Sequence, residues 1–152
     1  MSSPEDRLAE LGLSVPEVAK PVAVYVPAVR SGDHVYTSGQ LPMRSGELMM
    51  TGKVGGEVSL DEAVECAQQC ALNAIAALKA EVGDLASIKR IVKVVCFVSS
   101  TPDFTGQPQV ANGVSELLGH AFGDAGVHAR SAVGVPVLPL DAPVEVEVIA
   151  EV

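Results

Sequence analysis

An isolated cation in the C-terminal half of the chain is the residue best suited to chemistry. Arg130 is the only Lys or Arg after Lys93, whereas seven carboxylates follow Lys93. A guanidinium is always charged, and its planar fork of donors matches a carboxylate or a phosphate. Two interpretations stay open: an ion pair with Glu145 or Glu147 that joins two strands, or a pocket arginine that captures a small anionic substrate.

The end of the chain offers a partner for such an arginine. From Val144 to Val152, apolar residues alternate with acidic ones, so Glu145 and Glu147 share one face of a predicted strand. A carboxylate beside an anion clamp can direct one water at an imine carbon without metal or cofactor. The alternative for Glu145 is a salt bridge on the strand face, and Glu147 is the second choice for either role.

Other nucleophilic and metal-binding residue types lack partners at useful spacing. Ser38 has no His or acid at useful spacing, so we interpret it as a turn residue that offers backbone donors. His120 and His128 flank Asp124, but the glycines around Asp124 indicate a helix end and a loop. Both histidines are therefore predicted to be solvated, and no metal site is predicted.

The cysteines do not form a disulfide framework or a zinc pattern. Cys66 and Cys70 lie four residues apart on a predicted helix, and Cys96 lies in a predicted strand. We expect all three to be small buried hydrophobes in a reducing compartment.

The size and charge of the chain exclude several classes of protein. The chain has 152 residues, 48% of them hydrophobic, and a formal net charge of −9. Such an acidic chain lacks the cationic surface from which nucleic-acid binding draws its affinity. It also lacks an apolar run long enough to cross a bilayer and the start of a secretory signal. We expect a cytoplasmic protein of one domain, 1–152, that binds neither nucleic acid nor membrane.

Periodicity, caps and turn residues predict the elements that position these side chains. The predicted elements are a short helix Pro4–Leu13, strands Val22–Val29 and His34–Ser38 around the turn Arg30–Asp33, a looped strand Arg44–Gly56, a helix from Ser59 to Gly83, a strand Ile88–Ser99, a helix Gln107–Phe122, and strands Arg130–Val137 and Val144–Val152. Their order predicts an α+β domain of two layers, with the long helices on one side of a mixed sheet.

Several of these pieces together resemble a known family. They are Thr37–Pro42, the helix after Ser59, the strand Val92–Val98, Asp103–Phe104, Ala129–Ser131 and Pro143–Glu147. In this order they are similar to the Rid family, also called YjgF/YER057c/UK114 and, in older usage, endoribonuclease L-PSP. The resemblance covers about Val22 to the C-terminus. It implies a chorismate-mutase-like fold, a homotrimer with ligand clefts between subunits, and cofactor-free hydrolysis of enamines or imines such as 2-aminoacrylate to 2-keto acids and ammonia.

The resemblance also implies roles for individual residues. Arg130 would clamp the carboxylate of a small metabolite, Glu145 would orient the attacking water, Tyr25 would close the pocket, and Ser38, Gly39, Asn112 and Ala132 would line it. Some features depart from the family pattern: Val24 stands where Pro is frequent, Ala132 stands where the deaminating branch commonly has Cys, and a helical extension occupies about residues 1–20. These departures resemble a divergent branch.

Three competing functions follow from the same residues. The first is a non-catalytic trimer that binds a small anionic metabolite or regulates a partner. A ribonuclease is suggested only by the older family name, and the acidic composition argues against it. Chorismate mutases usually use several cationic side chains, whereas the C-terminal half of this chain contains Arg130 alone.

Overall fold

The computed structural model describes residues 2–19 and 24–152, which form a mixed sheet and three α-helices. In chain order the elements are α1 (Pro4–Glu10), β1 (Ala28–Ser31), β2 (His34–Thr37), β3 (Met43–Arg44), β4 (Glu47–Leu48), α2 (Leu60–Val82), β5 (Arg90–Ser99), α3 (Gln107–Phe122), β6 (Ala129–Val135) and β7 (Val144–Glu151). Short 3₁₀ turns at Leu85–Ser87, Gly123–Gly126 and Pro139–Asp141 connect some of them.

The longest helix begins and ends where the sequence signals predict. The Ser59 hydroxyl accepts from the Glu62 amide at 3.2 Å, and the Glu62 carboxylate accepts from the Ser59 amide at 3.0 Å. This reciprocal pair satisfies two amides that a helix start otherwise leaves unpaired. Gly83 ends the helix in a positive-φ conformation that suits glycine. Within the described residues, no helix is both long and apolar enough to cross a membrane.

The sheet is mixed, as predicted. Its strand order is β1-β2-β7-β5-β6, with β5 and β6 parallel and the other neighbours antiparallel. Alternate residues of β7, from Val144 to Ala150, are buried beneath the helices. We call this side the helix-covered face, and the opposite side, which carries Glu145 and Glu147, the open face. The two-layer α+β prediction is confirmed.

The first strand is shorter than predicted and begins later. It covers Ala28–Ser31 rather than Val22–Val29, and Val24 to Val26 lie outside any strand. The physical reason is Pro27, which has no amide hydrogen with which to continue the ladder. The Pro27 carbonyl still accepts from the Ser38 amide at 2.8 Å. Residues 22 and 23 of the predicted strand lie outside the described residues.

Two further segments differ from prediction. The predicted looped strand Arg44–Gly56 is a hairpin of β3 and β4 around Ser45 and Gly46, both at positive φ, followed by single bridges at Val54. The first helix ends at Glu10 rather than Leu13. By contrast, α3 spans Gln107–Phe122 as predicted.

Candidate active site

Arg130 points from β6 into the helix-covered face, where α3 holds it. Its strand neighbour is Val94, which is fully buried under the helices. Arg130 Nη1 donates to Asn112 Oδ1 at 2.8 Å and to Ser115 Oγ at 3.1 Å. Nη2 donates to the Pro108 carbonyl at 3.2 Å. Three acceptors on one helix therefore fix the plane of the guanidinium.

The remaining donors of Arg130 form one edge of the guanidinium. Arginine has five N–H donors, and the three bonds above leave the Nε–H and one hydrogen on Nη2. Among the described residues, neither of these two has a protein acceptor, and Arg130 has no ion pair. Two adjacent donors in one plane match the two oxygens of a carboxylate. The half-buried Arg130 thus keeps two donors that the described residues do not use.

A chain of hydrogen bonds through Ser115 and His128 helps to hold Arg130 in place. Ser115 Oγ, which accepts from Arg130, lies 2.9 Å from His128 Nε2, and His128 Nδ1 lies 2.6 Å from the Gly126 carbonyl. A carbonyl only accepts, so Nδ1 carries a hydrogen and donates it to the Gly126 carbonyl. The prediction of a solvated His128 is therefore wrong, because the ring is half-buried and bonded at both nitrogens.

Ser115 and His128 are the site residues that sequence reasoning missed. A signal existed for Ser115: it follows Asn112 by three residues, so the two share one face of α3. His128 gave no such signal, because it reaches Ser115 only when the loop before β6 folds against α3.

Glu145 lies on the open face of β7, where burial changes its acidity. Its strand neighbour is Phe97, and its carboxyl group is about half-buried. Burial raises the pKa of the Glu145 carboxyl above its ordinary 4.5, and the nearby Glu147 carboxylate raises it further. A carboxylate with a raised pKa is a stronger base toward water than an exposed one.

Gly39 lies directly against the Glu145 carboxylate. A methyl group added at Gly39 would lie 2.5 Å from Glu145 Oε1 and 2.8 Å from its carboxyl carbon. Only glycine therefore lets the backbone approach the carboxylate this closely. Sequence reasoning named both residues but not their contact.

A hydrogen bond from Ser38 holds the segment that contains Tyr25. The Ser38 hydroxyl donates to the Val26 carbonyl at 2.5 Å, which places Tyr25 beside the turn that leads to Gly39. The Tyr25 side chain is 47% exposed and is thus accessible to a ligand. Ala132 lies elsewhere, two residues after Arg130 on β6 and on the same face as Arg130.

The candidate residues therefore form two groups rather than one site. The arginine half-site comprises Arg130, Asn112, Ser115 and Ala132, and the glutamate half-site comprises Glu145, Gly39, Ser38 and Tyr25. Val94 and Phe97, the neighbours of Arg130 and Glu145 on β5, are three residues apart and so face opposite sides. Strand geometry puts the two Cα atoms about 14 Å apart. The interpretation of Arg130 as an ion-pair partner of Glu145 or Glu147 is thus wrong.

The other chemical candidates have structural roles. Burial raises the pKa of the Cys66 thiol to about 11 and of the Cys96 thiol to about 12, and it also raises that of Cys70. All three are free and buried, as predicted. His120 Nε2 lies 2.9 Å from the Arg7 carbonyl and 3.3 Å from the Glu10 carboxylate, so His120 links α3 to α1 rather than being simply solvated. Across residues 2–19 and 24–152, no group of three or more His, Cys, Asp or Glu could hold a metal ion.

Comparison with known proteins extends the similarity over nearly the whole chain. Residues 5–152 match the model of the family described as "YjgF/chorismate mutase-like, putative endoribonuclease". The match includes most of the N-terminal segment, which the sequence-based resemblance had left out.

Three individual proteins illustrate the similarity. The chain is 43% identical to Protein TCP17 of Trypanosoma cruzi over 145 residues, covering 95% of this chain and 91% of that protein. It is 34% identical to the 2-iminobutanoate/2-iminopropanoate deaminase of Dermatophagoides farinae over 137 residues, covering 89% and 91%. The crystal structure of Atu1372 from Agrobacterium tumefaciens aligns with a TM-score of 0.92 at 45% identity, covering 98% of this chain and 92% of that one.

Proposed function

The chain belongs to the YjgF/chorismate mutase-like family, and we propose that it hydrolyses reactive enamine or imine acids to 2-keto acids and ammonia. One observation carries the proposal: Arg130 is held by three acceptors on α3 while two adjacent donors remain for a carboxylate. The relative from Dermatophagoides farinae is named a 2-iminobutanoate/2-iminopropanoate deaminase, which supports the same substrate class.

The proposed reaction needs only a clamp and a base. The substrate carboxylate binds the free edge of Arg130, which fixes the imine carbon in position. Glu145 takes a proton from a water molecule, and the water oxygen adds to that carbon. The proton passes from Glu145 to the substrate nitrogen, which gives a carbinolamine. The proton of the new hydroxyl group then moves to the nitrogen through Glu145, the carbon–nitrogen bond breaks as the carbonyl forms, and ammonia and the 2-keto acid leave. An enamine such as 2-aminoacrylate enters this sequence after tautomerising to its imine.

The site is complete only if two copies of the chain contribute to it. Arg130 and Glu145 of one copy are about 14 Å apart on opposite faces, so we propose that the arginine half-site of one copy meets the glutamate half-site of the next. The open face around Glu145 carries apolar side chains that remain exposed or half-buried: Tyr36, Val95, Phe97, Val133 and Ile149. Covering this face would bury them, and head-to-tail contacts of this kind form a ring when the rotation between successive copies closes. A homotrimer is the proposed assembly.

Ammonia release from freshly generated imino acids tests the proposed activity. We expect the wild-type protein to release ammonia and keto acid from 2-aminoacrylate well above the spontaneous rate, and Arg130→Ala to lose this acceleration at unchanged assembly size. Arg30→Ala is the matched control, because Arg30 is exposed on β1 and, within the described part of the chain, its side chain bonds only to the Gly32 carbonyl. Acceleration that survives in Arg130→Ala, or is missing from the wild type, would contradict the proposal.

A non-catalytic trimer that binds a small anion is the second candidate. Ala132 favours it, because the deaminating branch of the similar family commonly has Cys at this position. In that case 2-oxobutanoate would raise the melting temperature of the wild type but not of Arg130→Ala, while imino acids would disappear only at the spontaneous rate.

A further inference from the structure

A cavity adjoins the glutamate half-site, because Tyr25 and Gly39 are among its lining residues. Its volume is about 920 Å³, and the N-terminal segment 12–19, the β3–β4 hairpin and one side of α2 form most of its wall. Neither Arg130 nor Glu145 lines it. Its apolar wall consists of Leu13, Val18, Leu41, Met43, Leu72 and Leu140. The volume is in the range of cavities that bind small molecules.

Arg44 lines this cavity, and the side chains of Gln69 and Asn73 hold its guanidinium in place. Its Nε donates to Gln69 Oε1 at 3.2 Å, and Gln69 Nε2 donates to Asn73 Oδ1 at 3.1 Å. Asn73 Nδ2 in turn donates to the carbonyls of Leu41 and Met43, each at 3.0 Å. Gln69 and Asn73 are 7% and 2% exposed, so this chain of amides is fixed inside the protein. It holds the plane of the guanidinium from one side.

The outer end of the Arg44 guanidinium has no protein acceptor among the described residues. Only Nε is bonded, so the four hydrogens on Nη1 and Nη2 remain. Its cross-strand neighbour Glu47 and the cavity residue Glu17 are both acidic, yet neither forms an ion pair with it. Nη1 and Nη2 together present the end-on fork that a carboxylate binds with both oxygens.

We propose that this cavity binds an aliphatic monocarboxylate through Arg44 rather than Arg130. The carboxylate accepts from Nη1 and Nη2 of Arg44, and the tail packs against Leu13, Leu72 and Leu140. The combination of one fixed cation and an apolar wall selects against aliphatic amines, which the cation repels, and against small inorganic anions, which cannot use the wall.

Calorimetric titration of the full chain with octanoate tests the proposal, with octylamine as a probe of equal tail and opposite charge. We expect octanoate to bind the wild type and octylamine not to bind. Arg44→Gln should weaken octanoate binding about 10- to 100-fold, because it removes two charge-assisted hydrogen bonds. Arg44→Lys should give an intermediate loss, since it keeps the charge without the fork.

Two controls separate this site from the catalytic one. Arg130→Ala and Arg30→Ala should bind octanoate as the wild type does, and Arg44→Gln should keep its ammonia release. Arg44 is exposed, so Arg44→Gln should fold normally, which circular dichroism checks. The proposal is overturned if the wild type does not bind octanoate, if Arg44→Gln binds it equally well, or if Arg130→Ala abolishes the binding.

Discussion

Arg130 and Glu145 lie on opposite faces of one sheet, with strand β5 between them. Arg130 is bonded to α3 on the helix-covered face, whereas the Glu145 carboxylate lies against Gly39 on the open face. A substrate held by Arg130 is therefore out of reach of the Glu145 of the same copy. If both residues act on one molecule, two copies of the chain must bring them together.

Replacing Glu145 should stabilise the protein while abolishing turnover. A folded-state pKa above the ordinary 4.5 means that ionised Glu145 weakens the folded state at neutral pH. Glu145→Gln removes this penalty, and we expect the melting temperature at pH 7 to rise by about 1–3 °C. The gain should be much smaller at pH 4, where the carboxyl is mostly protonated in both states. Scanning calorimetry at both pH values measures this, with exposed Glu116→Gln as the control; an equal gain at pH 4 would point to another cause.

The pH dependence of the reaction should follow the ionisation of Glu145. As a base it works only when ionised, so kcat/KM should rise with pH through a midpoint above 4.5. Glu147→Gln should lower that midpoint, since the Glu147 charge raises the pKa of Glu145. Rates from pH 4 to 8, corrected for spontaneous hydrolysis, test this. A profile that falls with pH across this range would exclude Glu145 as the base.

Ser115 and His128 should act on substrate binding through Arg130. Ser115→Ala removes one acceptor of the guanidinium, and we expect KM to rise about 5- to 10-fold with little change in kcat. His128→Ala should have a similar effect, because His128 acts through the Ser115 hydroxyl. The double variant should then be no worse than Ser115→Ala alone. Fully additive effects would show that the hydrogen-bonded chain does not orient Arg130, and exposed Ser31→Ala controls for a general loss of stability.

A side chain at position 39 should abolish activity without unfolding the protein. The methyl group of Gly39→Ala would displace the Glu145 carboxylate, which lies 2.5 Å from its position. We expect kcat to fall about 100-fold or more in a folded protein, as geometry at a catalytic group requires. Gly119→Ala is the matched control: a methyl group there meets no atom within 4 Å on α3, and it should slightly stabilise the protein. Normal kcat in Gly39→Ala would remove Glu145 from the mechanism.

Local signals in the sequence predicted the elements, whereas contacts across the fold defined the site. The capping box at Ser59 and the alternation of β7 involve neighbours in sequence, so both could be predicted. The start of β1 depends on pairing with β2, which Pro27 interrupts. The separation of Arg130 from Glu145 depends on how β6 and β7 both pair with β5, and that register has no local signal.

Activity restored by mixing two inactive variants would show that Arg130 and Glu145 of different copies form one site. Arg130→Ala and Glu145→Gln would each be purified, unfolded, mixed in equal amounts and refolded together. In a cyclic trimer whose sites join Arg130 of one copy to Glu145 of the next, random mixing regenerates about a quarter of the wild-type sites. We predict that ammonia release from 2-aminoacrylate returns to about a quarter of the wild-type rate. If the mixed assemblies form, as differently tagged chains would show, yet stay as inactive as either variant alone, the site is not shared between copies and the account is wrong.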